Sequence, residues 1–201
     1  MSKKDDIVKI YDDMFNLIGA EKWSVVHKEG LFHQVVHLWM YGDEADGRWM
    51  YFVQRSKDQD VFPGLYDIPV SSHIDPDETF SETLISLTKE RLGLKLTKDM
   101  LTHVGNIRQK VDIDGFHDNA FCQIYVKKII PPIPDFEVHD VELFFKVRYN
   151  DFCQWSQNPV GSIPLYTPDG EYIREASAVE WWWLRENEFK TIVRPYIDKQ
   201  K

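Results

Sequence analysis

Hydrophobic and polar positions along this chain follow two periods, and the switch between them predicts most of its elements. Residues 35–41 (VVHLWMY) are β-branched and aromatic and predict a buried strand, with 48–54 (RWMYFVQ) returning beside it across an exposed connection at 42–47 (GDEADG). Residues 7–18 (IVKIYDDMFNLI) predict a short strand, a turn at Asp12-Asp13 and a second strand closed by Gly19. Residues 68–70 are a short strand, and 97–110 and 117–130 are two longer ones joined by a turn at 112–115. An apolar stretch at 138–155 predicts a strand to about Val147 and a short helix after it. Residues 156–170, rich in Pro and Gly, are expected to form a surface excursion, and 176–197 to be helical.

The helical period is clearest at 72–94 (SHIDPDETFSETLISLTKERLGL). Asp75-Pro76-Asp77 is turn chemistry, because proline fixes φ and aspartate bonds its own backbone two residues on. Thr79 and Glu82 fit a capping box that satisfies two orphan amides of a first helical turn. Phe80, Thr83, Leu84, Leu87 and Thr88 recur at helical spacing, and Gly93 is placed to end the helix in a left-handed conformation. Strands before and after one central helix, with another helix near the end, predict a mixed sheet packed between helices.

Composition narrows the function classes. With 24 basic and 33 acidic residues the net charge is −9, and no basic block is available to neutralise nucleic-acid phosphates. A small anionic ligand remains compatible, since it answers to local charge. The 201 residues, read as one domain spanning 1–201, begin with the polar MSKKDD and contain no apolar run near ~18 residues. The expectation is a soluble, cytoplasmic protein without membrane contact. Cys122 and Cys153 form no Cys-x-x-Cys pair and are expected to be free thiols. Three adjacent tryptophans, 181–183, cannot share one face of a helix; ordinary packing and a homodimer contact are the two readings.

The 72–94 stretch resembles the Nudix box, the signature of a superfamily that cleaves or rearranges diphosphate-containing metabolites. Glu78, Glu90, Gly93 and Leu94 match at the right spacing, whereas the box's first glycine is Ser72, its Arg-Glu pair is Ser86-Leu87, and its second paired glutamate is Arg91. At roughly 100° per residue, positions 87, 90 and 91 share one arc of the helix. In the family, carboxylates on that arc hold Mg²⁺ or Mn²⁺. Here the centre is apolar Leu87, one flank keeps Glu90, and the other is a permanent cation, Arg91.

Wider similarity, over residues 10–41, 52–73 and the Asp118-Asn119 pair, is to the branch related to isopentenyl-diphosphate isomerase. The resemblance implies an α/β fold, the Nudix-type α/β/α sandwich with a central mixed sheet. It places His27, His33 and His73 at or within one residue of three histidine metal ligands. The proton-shuttling cysteine is Ser71, and a later glutamate pair is Asp118 and Ala120. A serine offers no thiolate and alanine no proton, so isomerisation is not expected.

Three function classes follow, the last a structural or oligomerising role resting on the aromatic C-terminal part. The first is a protein that binds a diphosphate-containing small molecule without standard Nudix hydrolysis, with Arg91 in place of the metal. The second is a divalent-metal-dependent hydrolase of a nucleoside- or isoprenoid-diphosphate-type metabolite. Glu90 and Asp118 are its candidate catalytic carboxylates, and His27, His33, His73 and Glu90 its candidate metal ligands. Arg55, His33, His73, Arg91 and Ser71 are the candidate ligand-binding residues; Lys57 is better explained as a solvated salt bridge. His37 fits a hydrogen-bonded core position, and Mg²⁺ or Mn²⁺ is the cofactor the resemblance implies.

Overall fold

A computed structural model describes residues 5–113, 115–181 and 185–200. The chain opens with a hairpin of β1 (Ile7–Tyr11) and β2 (Leu17–Lys22), followed by a short helix, α1 (Trp23–Glu29). Then come β3 (His33–Glu44), β4 (Gly47–Arg55), β5 (Tyr66–Asp67), β6 (Val70–His73) and the helix α2 (Phe80–Leu92). The strands β7 (Thr102–Ile113), β8 (Phe116–Ile129) and β9 (Val141–Arg148) lead to α3 (Tyr149–Trp155). A second hairpin, β10 (Ser162–Tyr166) with β11 (Tyr172–Ser177), precedes a C-terminal helical segment at 186–197.

Among the described residues, eleven strands make one mixed sheet: β3 and β8 run parallel and the other pairs antiparallel. The period of two in β3 and β4 divides the core. Val36, Leu38, Met40, Tyr51 and Val53 face α2 through Leu84 and Leu92. Trp39, Tyr41, Met50 and Phe52 face α3 and the C-terminal segment through Phe152, Phe189, Val193 and Ile197. The sheet is therefore covered by helices on both faces, as the α/β/α expectation required.

One irregularity positions everything that follows. β3 pairs with β4 only over its far end, Met40–Glu44 against Gly47–Tyr51. Beyond that the two strands splay: β6 bonds β3 at Val35–Leu38, and β5 bonds β4 at Val53–Gln54. The 66–73 segment is thus wedged into a V between two central strands. A splay in a sheet opens a crevice lined by strand ends, where side chains from several elements can meet.

Some element boundaries differ from the sequence expectation. β3 and β4 continue into the supposed 42–47 connection, pairing Gly42 with Trp49, Asp43 with Arg48 and Glu44 with Gly47, and Glu44 accepts two 2.7 Å hydrogen bonds from the buried Lys146 ammonium of β9. The 156–170 stretch is not only a surface excursion: Ile163 and Leu165 alternate into the core as part of β10. Pro164 is tolerated there, since β10 meets β9 only at Tyr166 with Lys146. Residues 172–177, partly assigned to a helix, form β11; a 3₁₀ turn follows at Ala178–Glu180, and the C-terminal helical segment is described over 186–197. Trp181 is in the aromatic core against Phe52, Tyr66 and Phe145, the packing reading of that residue; Trp182 and Trp183 lie outside the described residues. Among the described residues no helix is long and apolar enough to cross a membrane.

Candidate functional site

Four elements deliver a polar cluster to one side of the crevice. His33 on β3 pairs with Ala120 on β8, which sets Asp118, two residues earlier, on the same face beside the imidazole. Val35 pairs with His73, so β6 brings a second histidine alongside. α1 supplies the third, His27. That helix ends at Gly30, whose φ of 65° is the left-handed conformation that glycine adopts without a Cβ penalty. The Gly30 carbonyl accepts a 3.2 Å hydrogen bond from Asn119 Nδ2, which ties the end of α1 to β8 next to Asp118.

One ligand atom from each of His27, His33 and His73 lies within 4.8 Å of the other two. His33 Nε2 is 3.2 Å from Asp118 Oδ1 and His27 Nε2 is 3.5 Å from it. The opposite ring nitrogens fix the tautomers: His27 Nδ1 is 2.9 Å from the Trp23 carbonyl, and His33 Nδ1 2.9 Å from the Leu31 carbonyl. A carbonyl only accepts, so both Nδ1 atoms carry protons, and in the neutral rings the Nε2 lone pairs face Asp118. Burial pushes the Asp118 carboxyl up; when His27 and His33 also carry a proton on Nε2, their hydrogen bonding and charge outweigh burial and hold the group well below the usual carboxylate range. Acceptors aimed at a shared carboxylate, each imidazole anchored through its other nitrogen, form the usual frame of a dication site. The donor set also fits, because imidazole with one carboxylate suits manganese or zinc.

Beside this cluster runs a buried ionic network. Arg185 donates from Nε to Asp67 Oδ1 (3.1 Å), from one terminal nitrogen to His37 Nε2 (2.6 Å), and from the other to Ser71 Oγ (2.7 Å). His37 Nδ1 donates to Glu188 Oε2 (2.7 Å), and Trp39 Nε1 donates to the other oxygen of Glu188. Asp67 also accepts from Arg55 (3.2 Å). Ser71, at the position of the isomerase cysteine, is therefore occupied by a guanidinium.

The structure does not gather all the residues singled out from sequence. Glu90 is exposed on α2 and does not join the three histidines, because the helix packs on the other face of the sheet, through Leu84 and Leu92. Leu87 turns partly into that core. Arg55 is tied to its own loop, donating to the Phe62 and Val61 carbonyls and to Gln59 as well as to Asp67. Lys57 is exposed and uses its backbone amide, to Glu142. His37 is fully hydrogen-bonded in the core, as its strand position suggested. Asp67, Arg185 and Glu188 had no local signal; the contacts that define them join residues more than a hundred positions apart.

A mixed sheet between helices, split over a polar crevice, with a capped helix after the wedge, defines an α/β protein of the Nudix fold. Among solved structures, a MutT/nudix family protein from Enterococcus faecalis superposes with a TM-score of 0.58 at 13% identity, covering 83% of this chain and 62% of its own. No family model matches the sequence. An uncharacterized Nudix hydrolase of Rhodococcus erythropolis is 31% identical over 185 residues, 91% of this chain and 80% of that protein. Another from Clostridium acetobutylicum is 24% identical over 162 residues, 80% of this chain and 78% of its own. The chain belongs to the Nudix hydrolase family.

Proposed function

We propose that the chain binds a divalent cation through His27, His33, His73 and Asp118 and uses it to hold a diphosphate-containing small molecule, without isomerisation and without hydrolysis at the α2 arc. The supporting observation is the pair of imidazole nitrogens facing one carboxylate oxygen at 3.2 and 3.5 Å. Lone pairs do not attract a carboxylate; the arrangement is relieved by a proton or by a cation, and the anchored tautomers leave both Nε2 atoms aimed where a cation would sit. When bound, the dication supplies positive charge that draws phosphate oxygens. His27 and His33 present nitrogens already oriented by backbone carbonyls, and Asp118 adds the single negative charge. Isomerisation is disfavoured because Ala120 is fully buried and carries no proton, and Ser71 Oγ is engaged by Arg185.

Metal-dependent hydrolysis by a rearranged set is the second reading, favoured by relatives that carry the name Nudix hydrolase. Calorimetric titration with Mn²⁺ and Mg²⁺, followed by a diphosphate-ester panel with phosphate release as readout, tests both. Mn²⁺ uptake without turnover supports the binding protein, metal-dependent release supports the hydrolase, and absence of metal uptake sinks the histidine centre.

A further inference from the structure

The face of the sheet opposite the histidines carries a cavity of its own. Ile10 on β1 pairs with His33 on β3, so their neighbours Lys9, Tyr11 and Gln34 project to the α2 side. There they meet the turn that leads into α2, and a pocket of about 270 Å³ opens between them. The turn is closed by the Glu78 amide, which donates to the Asp75 carbonyl at 3.0 Å. It is tied to β1 by the Lys9 ammonium, which donates to the Pro76 carbonyl. Glu78 lines the pocket as well, half-buried, and among the described residues its carboxylate makes no hydrogen bond and no ion pair. The Tyr11 hydroxyl and the Gln34 carboxamide are likewise unbonded there, and the Lys9 ammonium has donors to spare after Pro76. Val8, Ile74 and Phe80 supply apolar wall. Arg91, in the last turn of α2 and roughly 18 Å along its axis from the pocket end, takes no part; among the described residues its guanidinium makes no hydrogen bond or ion pair.

A carboxylate and an ammonium that line one pocket without pairing are two separated poles, each short of a counter-charge. A neutral ring would offer them only dipoles, and a phosphate would satisfy Lys9 while Glu78 repelled it. A zwitterion brings a full opposite charge to each pole, and charge-assisted hydrogen bonds are about twice as strong as neutral ones. We propose that this pocket binds a free α-amino acid with an apolar side chain. Glu78 accepts from its ammonium, Lys9 and the Tyr11 hydroxyl donate to its carboxylate, and Val8, Ile74 and Phe80 cover its side chain. Burial pushes the Tyr11 phenol up, which keeps it a donor at neutral pH. The volume falls just under the ~300–1,000 Å³ of sites for drug-sized ligands, as a small metabolite requires. The site is independent of the diphosphate reading, since His33 and Gln34 project to opposite faces of β3.

Calorimetric titration of L-leucine and L-phenylalanine into the full chain in excess chelator is the test. Leucinamide and isocaproate serve as analogues that keep only the ammonium or only the carboxylate, and adenosine as a neutral ring. The wild type should take up at least one of the amino acids, with both single-charge analogues weaker by about tenfold or more. Glu78→Gln should weaken amino-acid uptake about tenfold and leave isocaproate no weaker, a split that partial unfolding would not produce. Lys9→Met should show the converse, losing amino acid and isocaproate while leucinamide is unchanged. Thermal unfolding without ligand controls for folding; if loss of the Pro76 bond unfolds Lys9→Met, the Glu78→Gln comparison decides. No uptake of either amino acid by wild type, equal affinity for the single-charge analogues, or wild-type behaviour in Glu78→Gln overturns the proposal. Adenosine bound more tightly than either amino acid overturns it too, and gives the pocket to a neutral ring. Because chelator removes any dication, none of these results bears on the histidine centre.

Discussion

At the scale of single residues the decisive chemistry is the tying of buried charge. Glu188 is 1% exposed and accepts from both His37 and Trp39, while Asp67, 4% exposed, accepts from Arg55 and Arg185. Burial pushes both carboxyls up, but the cations beside them prevail, and both titrate below the ordinary carboxylate range. A carboxylate depressed in this way contributes stability above its unfolded pKa of ~4 and loses it as pH falls through that value and below. Glu188→Gln should therefore cost about 3 kcal/mol near neutral pH, because it removes a buried negative charge that Arg185 faces and an acceptor shared by His37 and Trp39. Denaturant unfolding at pH 7 and pH 3.5 checks this: the gap from wild type should narrow at the lower pH. A gap that widens on acidification would mean that Glu188 is protonated in the native state.

The helix α2 behaves as its local sequence dictates. Thr79 and Glu82 form the reciprocal cap, and the exposed Glu82 carboxyl is brought down to about 2 by its bonds to Thr79 and the nearby Lys98. Thr79→Ala should cost about 1 kcal/mol. Gly93→Ala should cost more, because φ is 66° there and an added Cβ would lie 2.8 Å from the Glu137 Cβ. Thermal unfolding of the two variants ranks the effects; a harmless Gly93→Ala would show that the C-cap relaxes freely. The arc on this helix can also be rebuilt. Replacing Leu87 and Arg91 together by Glu puts three carboxylates at 87, 90 and 91, and should create Mg²⁺ or Mn²⁺ affinity absent from Arg91→Glu alone. Calorimetry with chelated and reloaded protein reads the difference.

Across the whole molecule, α1, β3, β6 and β8 meet around His27, His33, His73 and Asp118, so a metal held there as proposed should stabilise the fold rather than merely decorate it. Saturating Mn²⁺ at ~100 times its Kd should add about 2.7 kcal/mol, and His33→Asn should abolish that gain. A thermal shift that persists in His33→Asn would place the metal elsewhere. Trp181→Ala tests the aromatic core on the other side: loss of about 3 kcal/mol or more is expected from its packing among Phe52, Tyr66 and Phe152. If the variant instead kept its stability and changed only its association state in sedimentation, the core assignment of that tryptophan would fall.

What could be read from sequence follows the range of the interaction responsible. The α2 cap, its apolar stripe and its glycine stop depend on neighbours within four positions, so Thr79, Leu84 and Gly93 stated the helix outright. The strands β3 and β4 were legible for the same reason, from dense β-branched and aromatic runs. The helix α1 was not, since its seven residues give too few turns for a period to show, although it carries His27. Likewise β10 was hidden by the prolines and glycines around Ile163 and Leu165. The amino-acid sequence alone determined the family resemblance, the mixed sheet between helices and the three histidines as a set. Only the tertiary structure decided that Glu90 stands apart from them, that Arg185 closes on Ser71 and that Arg91 is left without an ion pair. Those outcomes depend on the registers of β3 with β6 and β8 and on a segment more than a hundred residues away, and no local pattern encodes either.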